Sequence, residues 1–195
     1  MLSPTGVFAN NNVLVLGDSL SAAYGIEPQQ GWVSLLQQRW QQQARPYQLV
    51  NASVSGETTY GGLRRLDGLL KRYQPHAVII ELGGNDGLRG LPLSQTKTNL
   101  EKMVSAIRQQ KAQIYLLSMR LPPNYGPRYN QRFENMYQDV AKQFDIPLKP
   151  FFPDNMAEDL SHFQADGIHP TASAQRQLTD YFEGIFSRWL FMDAN

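Results

Sequence analysis

Asn12-Val13-Leu14-Val15-Leu16-Gly17-Asp18-Ser19 is an unbroken apolar run that stops at a glycine followed by two polar side chains. A strand with no alternating polar residues has no wet face, so it belongs in a parallel sheet covered on both sides. The pattern recurs at residues 47–51 (YQLVN), 77–82 (AVIIEL) and 114–117 (IYLL), and more weakly at 146–148 (IPL). Between these runs the apolar residues take helical spacing. Trp32, Leu35, Leu36 and Trp40 mark one helix, and Leu63, Leu66, Leu69, Leu70 and Tyr73 mark the next. Leu100, Met103, Val104 and Ile107 mark a third, one stripe at i, i+3, i+4, i+7. Two further helices are expected over 128–144 and 171–190, with Pro170 at the first turn of the last. Strands alternating with helices imply an α/β protein: an open parallel sheet between two helical layers.

Composition bounds what such a protein can do. The 195 residues suit one domain, expected over 12–191 after an N-terminal extension of 1–11. With 18 Lys+Arg against 17 Asp+Glu the net charge is +1, which leaves no electrostatic footprint for nucleic acid or anionic lipid. There is no cysteine, which excludes disulfides, thiolate nucleophiles and cysteine metal sites together. No run approaches 18 apolar residues, so no membrane span is expected. Residues 1–12 carry no positive charge and no long apolar block, so they are not a secretory signal as they stand. The expected location is the cytoplasm, or the periplasm or medium if an export signal has been removed.

In open α/β sheets the site forms outside the carboxyl ends of the strands. Gly17-Asp18-Ser19-Leu20-Ser21 follows the first strand, Ser53-Val54-Ser55-Gly56-Glu57-Thr58 the second, and Gly83-Gly84-Asn85-Asp86 the third. Asp166-Gly167-Ile168-His169-Pro170 precedes the last helix. A serine, small-residue turns, an asparagine amide and an Asp–His pair are the parts that acyl transfer through a serine nucleophile requires. No G-x-S-x-G elbow, dinucleotide fingerprint or phosphate-cradling G-x-x-x-x-G-K-[ST] is present.

These four blocks, GDSLSAAYG, NASVSGET, GGND and DGIHP, occur in the order that marks the SGNH hydrolases, the GDSL esterases and lipases, which the chain resembles from about residue 12 to 190. RLPPNYGPRYNQRF at 120–133 and GGNDGLRGLP at 83–92 are similar to the bacterial arylesterase, acyl-thioesterase and lysophospholipase branch. The resemblance implies a flavodoxin-like three-layer α/β/α sandwich with a five-stranded parallel sheet in the order 2-1-3-4-5. It implies Ser19 as nucleophile, His169 as general base and Asp166 as the carboxylate that orients it. It implies an oxyanion hole from the backbone N–H groups of Ser19 and Gly56 and the Asn85 amide. Leu88, Leu91, Pro92, Leu121 and Pro122 would line the acyl pocket, and the loop after GGND would move when substrate binds. No cofactor and no metal are implied, and the partner is a small-molecule acyl ester or thioester met by a monomer or weak homo-oligomer.

Other readings of the same residues stand beside these. Ser19 and Asn85 could be turn residues, Asp166 and His169 could ligate a metal, and the five pocket residues could be ordinary loop packing. Asp18, next to the nucleophile, is better placed to hydrogen-bond the surrounding loops than to serve as the triad acid. His76 and His162 are expected at the surface, and the Trp189-Leu190-Phe191-Met192 run as helix core or an oligomer contact. The expected activity is ester hydrolysis through an acyl-enzyme, extending to thioesters or lysophospholipids. An acyltransferase or carbohydrate deacetylase on the same scaffold is the alternative, and a non-catalytic binding module a third.

Overall fold

The computed structural model describes residues 11–191, so the expected 1–11 extension lies almost wholly outside the described residues. Strands β1 (Asn12–Gly17), β2 (Gln48–Asn51), β3 (Ala77–Glu81), β4 (Gln113–Ser118) and β5 (Leu148–Pro150) form one sheet in the order β2-β1-β3-β4-β5. Every neighbouring pair is parallel, and Gly17 at the end of β1 stands opposite Glu81 at the end of β3. The expected sheet and its order are therefore observed.

The helices are α1 (Trp32–Gln42), α2 (Thr59–Tyr73), α3 (Gly84–Leu88), α4 (Leu93–Gln109), α5 (Pro127–Phe144), α6 (Asp154–Ala157) and α7 (Ala174–Phe191). Right-handed crossovers place the helix on one face when the chain moves from β1 to β2, and on the other when it moves back through β3 to β5. So α1 packs with α7 on one face, while α4 packs between α2 and α5 on the other. The first layer closes on an aromatic cluster in which Trp32 lies 4.3 Å from Phe182 and Phe182 stacks 5.4 Å from Phe186. Trp189 packs partly on this core and Leu190 is buried in it, whereas the Phe191 side chain and Met192 fall outside the described residues. Among the described residues no helix is long and apolar enough to cross a membrane.

Two expected boundaries move, for reasons visible in the backbone. The fifth strand begins at Leu148 rather than 146, because the Ile146 N–H is spent on the Ala141 carbonyl, closing α5 behind Asp145 in the left-handed conformation. The last helix begins at Ala174 rather than 171. Pro170 pairs instead with Phe163 in an isolated antiparallel bridge, and Thr171 Oγ1 accepts the Ala174 N–H at the helix start. His76 and His162, expected at the surface, are half-buried.

The fit of α2 on the sheet turns on a glycine. A Cβ at Gly62 would come 2.4 Å from Leu82 Cδ1, and Leu82 is itself fully buried; Gly68, on the same helix, is exposed with open space around it. Gly62→Ala should lower stability by about 1–3 kcal/mol as α2 is forced off the sheet. Gly68→Ala should raise it by about 0.5–1 kcal/mol through helix propensity alone. Chemical denaturation of both variants beside the parent checks the pair; equal shifts would mean that packing at Gly62 is not limiting.

Candidate active site

The order 2-1-3-4-5 reverses direction at β1, which opens a crevice between the carboxyl ends of β1 and β3. Ser19 leaves β1 into that crevice, half-buried, while its neighbours Asp18 and Leu20 turn inward. Across it stands His169, whose Nε2 lies 2.8 Å from Ser19 Oγ and whose Nδ1 lies 2.7 Å from Asp166 Oδ2. The other Asp166 oxygen accepts the backbone N–H groups of Ile168 at 2.9 Å and His169 at 3.0 Å. This turn lets two residues three positions apart face one another. Partial burial of Asp166 opposes its charge, but the backbone and ring N–H groups of His169 and the Ile168 N–H outweigh it and pull the pKa down to about 2. Ionised Asp166 accepts from Nδ1–H, which leaves Nε2 free to take the Ser19 hydroxyl proton.

The segment carrying His169 is pinned on both sides. The Gln164 N–H donates to the His169 carbonyl at 2.7 Å and the Thr171 N–H to the His162 carbonyl at 2.8 Å. The Gln164 amide donates to the carbonyls of Tyr24 at 2.8 Å and Pro170 at 3.0 Å. The Tyr24 ring covers the imidazole at a centroid distance of 4.5 Å. Both ring nitrogens of His169 are thus engaged by protein groups. Among the described residues no three acidic or histidine side chains converge into a metal-binding group.

Three donors belong to residues that line the crevice around Ser19. Among the described residues the N–H groups of Ser19 and Gly56 find no protein acceptor, and both residues line the same cavity as Asn85. Gly56 holds φ at +77°, which a glycine adopts without strain, and Arg89 Nη2 donates to its carbonyl at 3.0 Å. Asn85 donates one amide hydrogen to Asp18 Oδ2 at 2.9 Å and has the other free. Its short helix α3 is held by the next residue, Asp86, which is buried and accepts the Thr59 N–H at 2.9 Å and the Thr59 and Thr96 hydroxyls. Asp18 accepts the Leu20 N–H as well, so it ties loops together as its position suggested.

The cavity encloses about 610 Å³ and its walls are mainly apolar. Of the five expected pocket residues, Leu88, Leu121 and Pro122 line it; Leu91 and Pro92 do not. The Leu91 N–H closes back on the Asp86 carbonyl at 2.9 Å and Pro92 caps α4, so the chain has already turned away. Sequence reasoning missed the far wall, Phe152, Leu160, Phe163 and Ile168, which comes from irregular chain without periodic pattern. It also passed over Glu81, although an acid inside an otherwise apolar strand was a signal in plain view.

Residues 15–177 match the family described as GDSL-like Lipase/Acylhydrolase. The chain is 48% identical to Esterase TesA of Pseudomonas aeruginosa over 172 residues, 88% of this chain and 86% of that protein. It is 44% identical to the Thioesterase 1/protease 1/lysophospholipase L1 of Escherichia coli K12, over 89% of this chain and 82% of the relative. The crystal structure of the psychrotrophic esterase EstA from Pseudoalteromonas sp., inhibited by monoethylphosphonate, superposes with a TM-score of 0.89 at 42% identity, covering 92% of this chain and 98% of that one. With four sequence blocks meeting in one crevice, a matching sheet and this likeness over most of its length, the chain belongs to the GDSL-like, or SGNH, hydrolase family.

Proposed function

We propose that this chain is a serine hydrolase of carboxylic esters, extending to acyl thioesters or lysophospholipids, with Ser19, His169 and Asp166 as its catalytic triad. The observation that carries the reading is the unbroken relay Asp166 Oδ2, His169 Nδ1, His169 Nε2, Ser19 Oγ, with contacts of 2.7 and 2.8 Å. Relatives named as an esterase and as a thioesterase and lysophospholipase support the substrate class.

In the reaction Ser19 Oγ bonds to the substrate carbonyl carbon as its proton passes to His169 Nε2. The carbonyl oxygen gains the electron pair and is held by the N–H groups of Ser19 and Gly56 and the Asn85 amide, a preformed hole that needs no reorganisation. Collapse of this intermediate breaks the bond to the leaving group, which takes the proton from His169. Water then attacks the acyl-enzyme by the same route in reverse, releasing the acid and restoring Ser19. Asp166 stays ionised throughout and stabilises the imidazolium. The acyl chain lies along Leu88, Met119, Leu121 and Phe152, in a cavity of about 610 Å³.

A ladder of p-nitrophenyl esters from acetate to palmitate, with the matching acyl-CoA thioesters, tests the activity and sizes the pocket. Ser19→Ala should lower kcat by at least about 10³–10⁴ with the fold intact, and retained turnover would remove Ser19 as nucleophile. Asn85→Ala should cost about 10²–10³, the usual worth of one oxyanion donor. A loss below tenfold would leave Asn85 as a turn residue. Because Asp166 is pulled down to about 2, it stays ionised through the acid side of the working range and should add no second proton to the acid limb of activity. A two-proton limb in the pH profile of kcat/KM would contradict that assignment.

A further inference from the structure

One carboxyl group near the site has no part in the mechanism above. Glu81 ends β3 with no solvent exposure, beside Gly17 on β1, and a Cβ at Gly17 would come 2.6 Å from Glu81 Oε2. That oxygen accepts the Ser21 hydroxyl at 2.7 Å and the Asp18 backbone N–H at 3.2 Å. The other, Oε1, is buried and has no N–H or hydroxyl donor. The Asp18 backbone N–H bond brings the Glu81 carboxyl beside that of Asp18, close enough for each charge to act on the other, and Asp18 is only 2% exposed. No Lys or Arg among the described residues forms an ion pair with either.

Two ionised carboxylates side by side in a buried site, with no Lys or Arg partner, repel each other and are poorly solvated, so the pair is expected to share a proton. Geometry says where it sits. As an ion Glu81 would leave Oε1 bare; as an acid its O–H donates to Asp18 and no polar atom is orphaned. Asp18 already receives the Leu20 N–H and the Asn85 amide and faces His169, so the negative charge belongs there. The other ionisable neighbours give no competing cation. Tyr137 of α5 is a buried phenol donating to the Leu82 carbonyl, and Asp86 of α3 lies beyond it. Burial raises both carboxyls, and that of Glu81 further because the charge of Asp18 presses on it.

We propose that Glu81 is a positioning residue, a neutral carboxylic acid whose proton holds Asp18 as an acceptor and thereby orients the Asn85 amide with its second N–H toward the oxyanion. The contact with Asp18 is the only side-chain hydrogen bond that Asn85 makes among the described residues, so nothing else selects which end of the amide faces the substrate. If the proton moved to Asp18 and turned toward Asn85, the amide would be favoured in the flipped orientation, with a carbonyl oxygen pointing at a developing negative charge. This inference rests on the oxyanion role proposed for Asn85.

The test uses the whole chain with Glu81→Gln, Glu81→Ala, Asn85→Ala and the Glu81→Ala/Asn85→Ala double variant. Glutamine copies a neutral acid, accepting from Ser21 and the Asp18 N–H and donating to the Asp18 carboxylate, so kcat should stay within about threefold and KM unchanged. Unfolded wild type ionises Glu81 near the ordinary value of about 4.3 while the native site keeps it protonated. Native wild type therefore loses stability relative to the Gln variant as pH rises above 5, by about tenfold in the folding constant per pH unit. Glu81→Ala should lower kcat more than tenfold with KM within twofold, and add nothing further in the Asn85→Ala background. A Gln variant as impaired as Asn85→Ala, stability curves that run parallel in pH, or a folded Ala variant with full kcat would each overturn the proposal. If the Ala variant does not fold, the two Gln readouts decide it alone. An Asn85→Ala loss below tenfold would sink the oxyanion reading and this proposal together. A full loss there with the wrong Glu81 response would sink only the latter.

Discussion

The 2.8 Å contact between His169 Nε2 and Ser19 Oγ joins residues 150 positions apart, and most of the structure bears on keeping its two ends in place. One end is rigid because Ser19 leaves β1, a fully enclosed strand between two parallel neighbours. The other sits on an irregular segment before α7, and irregular chain does not hold a position to tenths of an ångström unaided. It is held by the Asp166 turn, by the Phe163–Pro170 bridge and by the Gln164 amide, which reaches back to Tyr24 on the serine's own loop. The displaced start of α7 follows from the same constraint. A helix beginning at 171 would draw Pro170 out of its bridge with Phe163 and let His169 swing.

Four carboxyl groups surround this contact, and environment gives each a different task. Asp166 is partly open to water and receives several N–H donors, so it keeps a full charge where an imidazolium would form. Asp86 is enclosed but receives two hydroxyls and a backbone N–H, and so it locks the starts of α2 and α4 around the short helix that carries Asn85. Asp18 and Glu81 are enclosed together, and their proximity is tolerable only with a proton between them. Residue type alone distinguishes none of these roles. What separates them is the number of donors each carboxyl meets and how much water it sees.

That distinction also marks how far the sequence could be read. The strands were legible because a strand buried on both faces must be apolar throughout, and the four blocks because each follows a strand or precedes the last helix. The proton pair was not, because Asp18 and Glu81 lie 63 positions apart and only the β1–β3 register brings them together. The cavity wall was half legible. Leu88, Leu121 and Pro122 follow recognisable blocks, but Leu91 and Pro92 share the same block and are turned away by one backbone hydrogen bond to Asp86. Phe152, Leu160 and Phe163 come from a short helix, a 3₁₀ turn and their flanks, where no periodicity announces a buried face.

The same division explains where the pocket can change without harming the chemistry. The hydrogen-bonding parts sit on strand ends and on α3, tied by buried carboxyls whose replacement would leave orphaned donors. The far wall rests on α6 and the turn around Leu160, and Leu160 itself is 76% exposed while lining the cavity. An apolar side chain so placed would gain its burial if, as proposed, an acyl chain lay against it, and binding would then recover hydrophobic free energy that folding left unused. Substitution at Leu160 itself would then alter chain-length preference through the area covered, without touching the Phe163–Pro170 bridge that steadies His169. On the proposed function, selectivity would be tuned at the exposed turn around Leu160, while the chemistry would rest on the strand ends, on α3 and on the braced segment before α7.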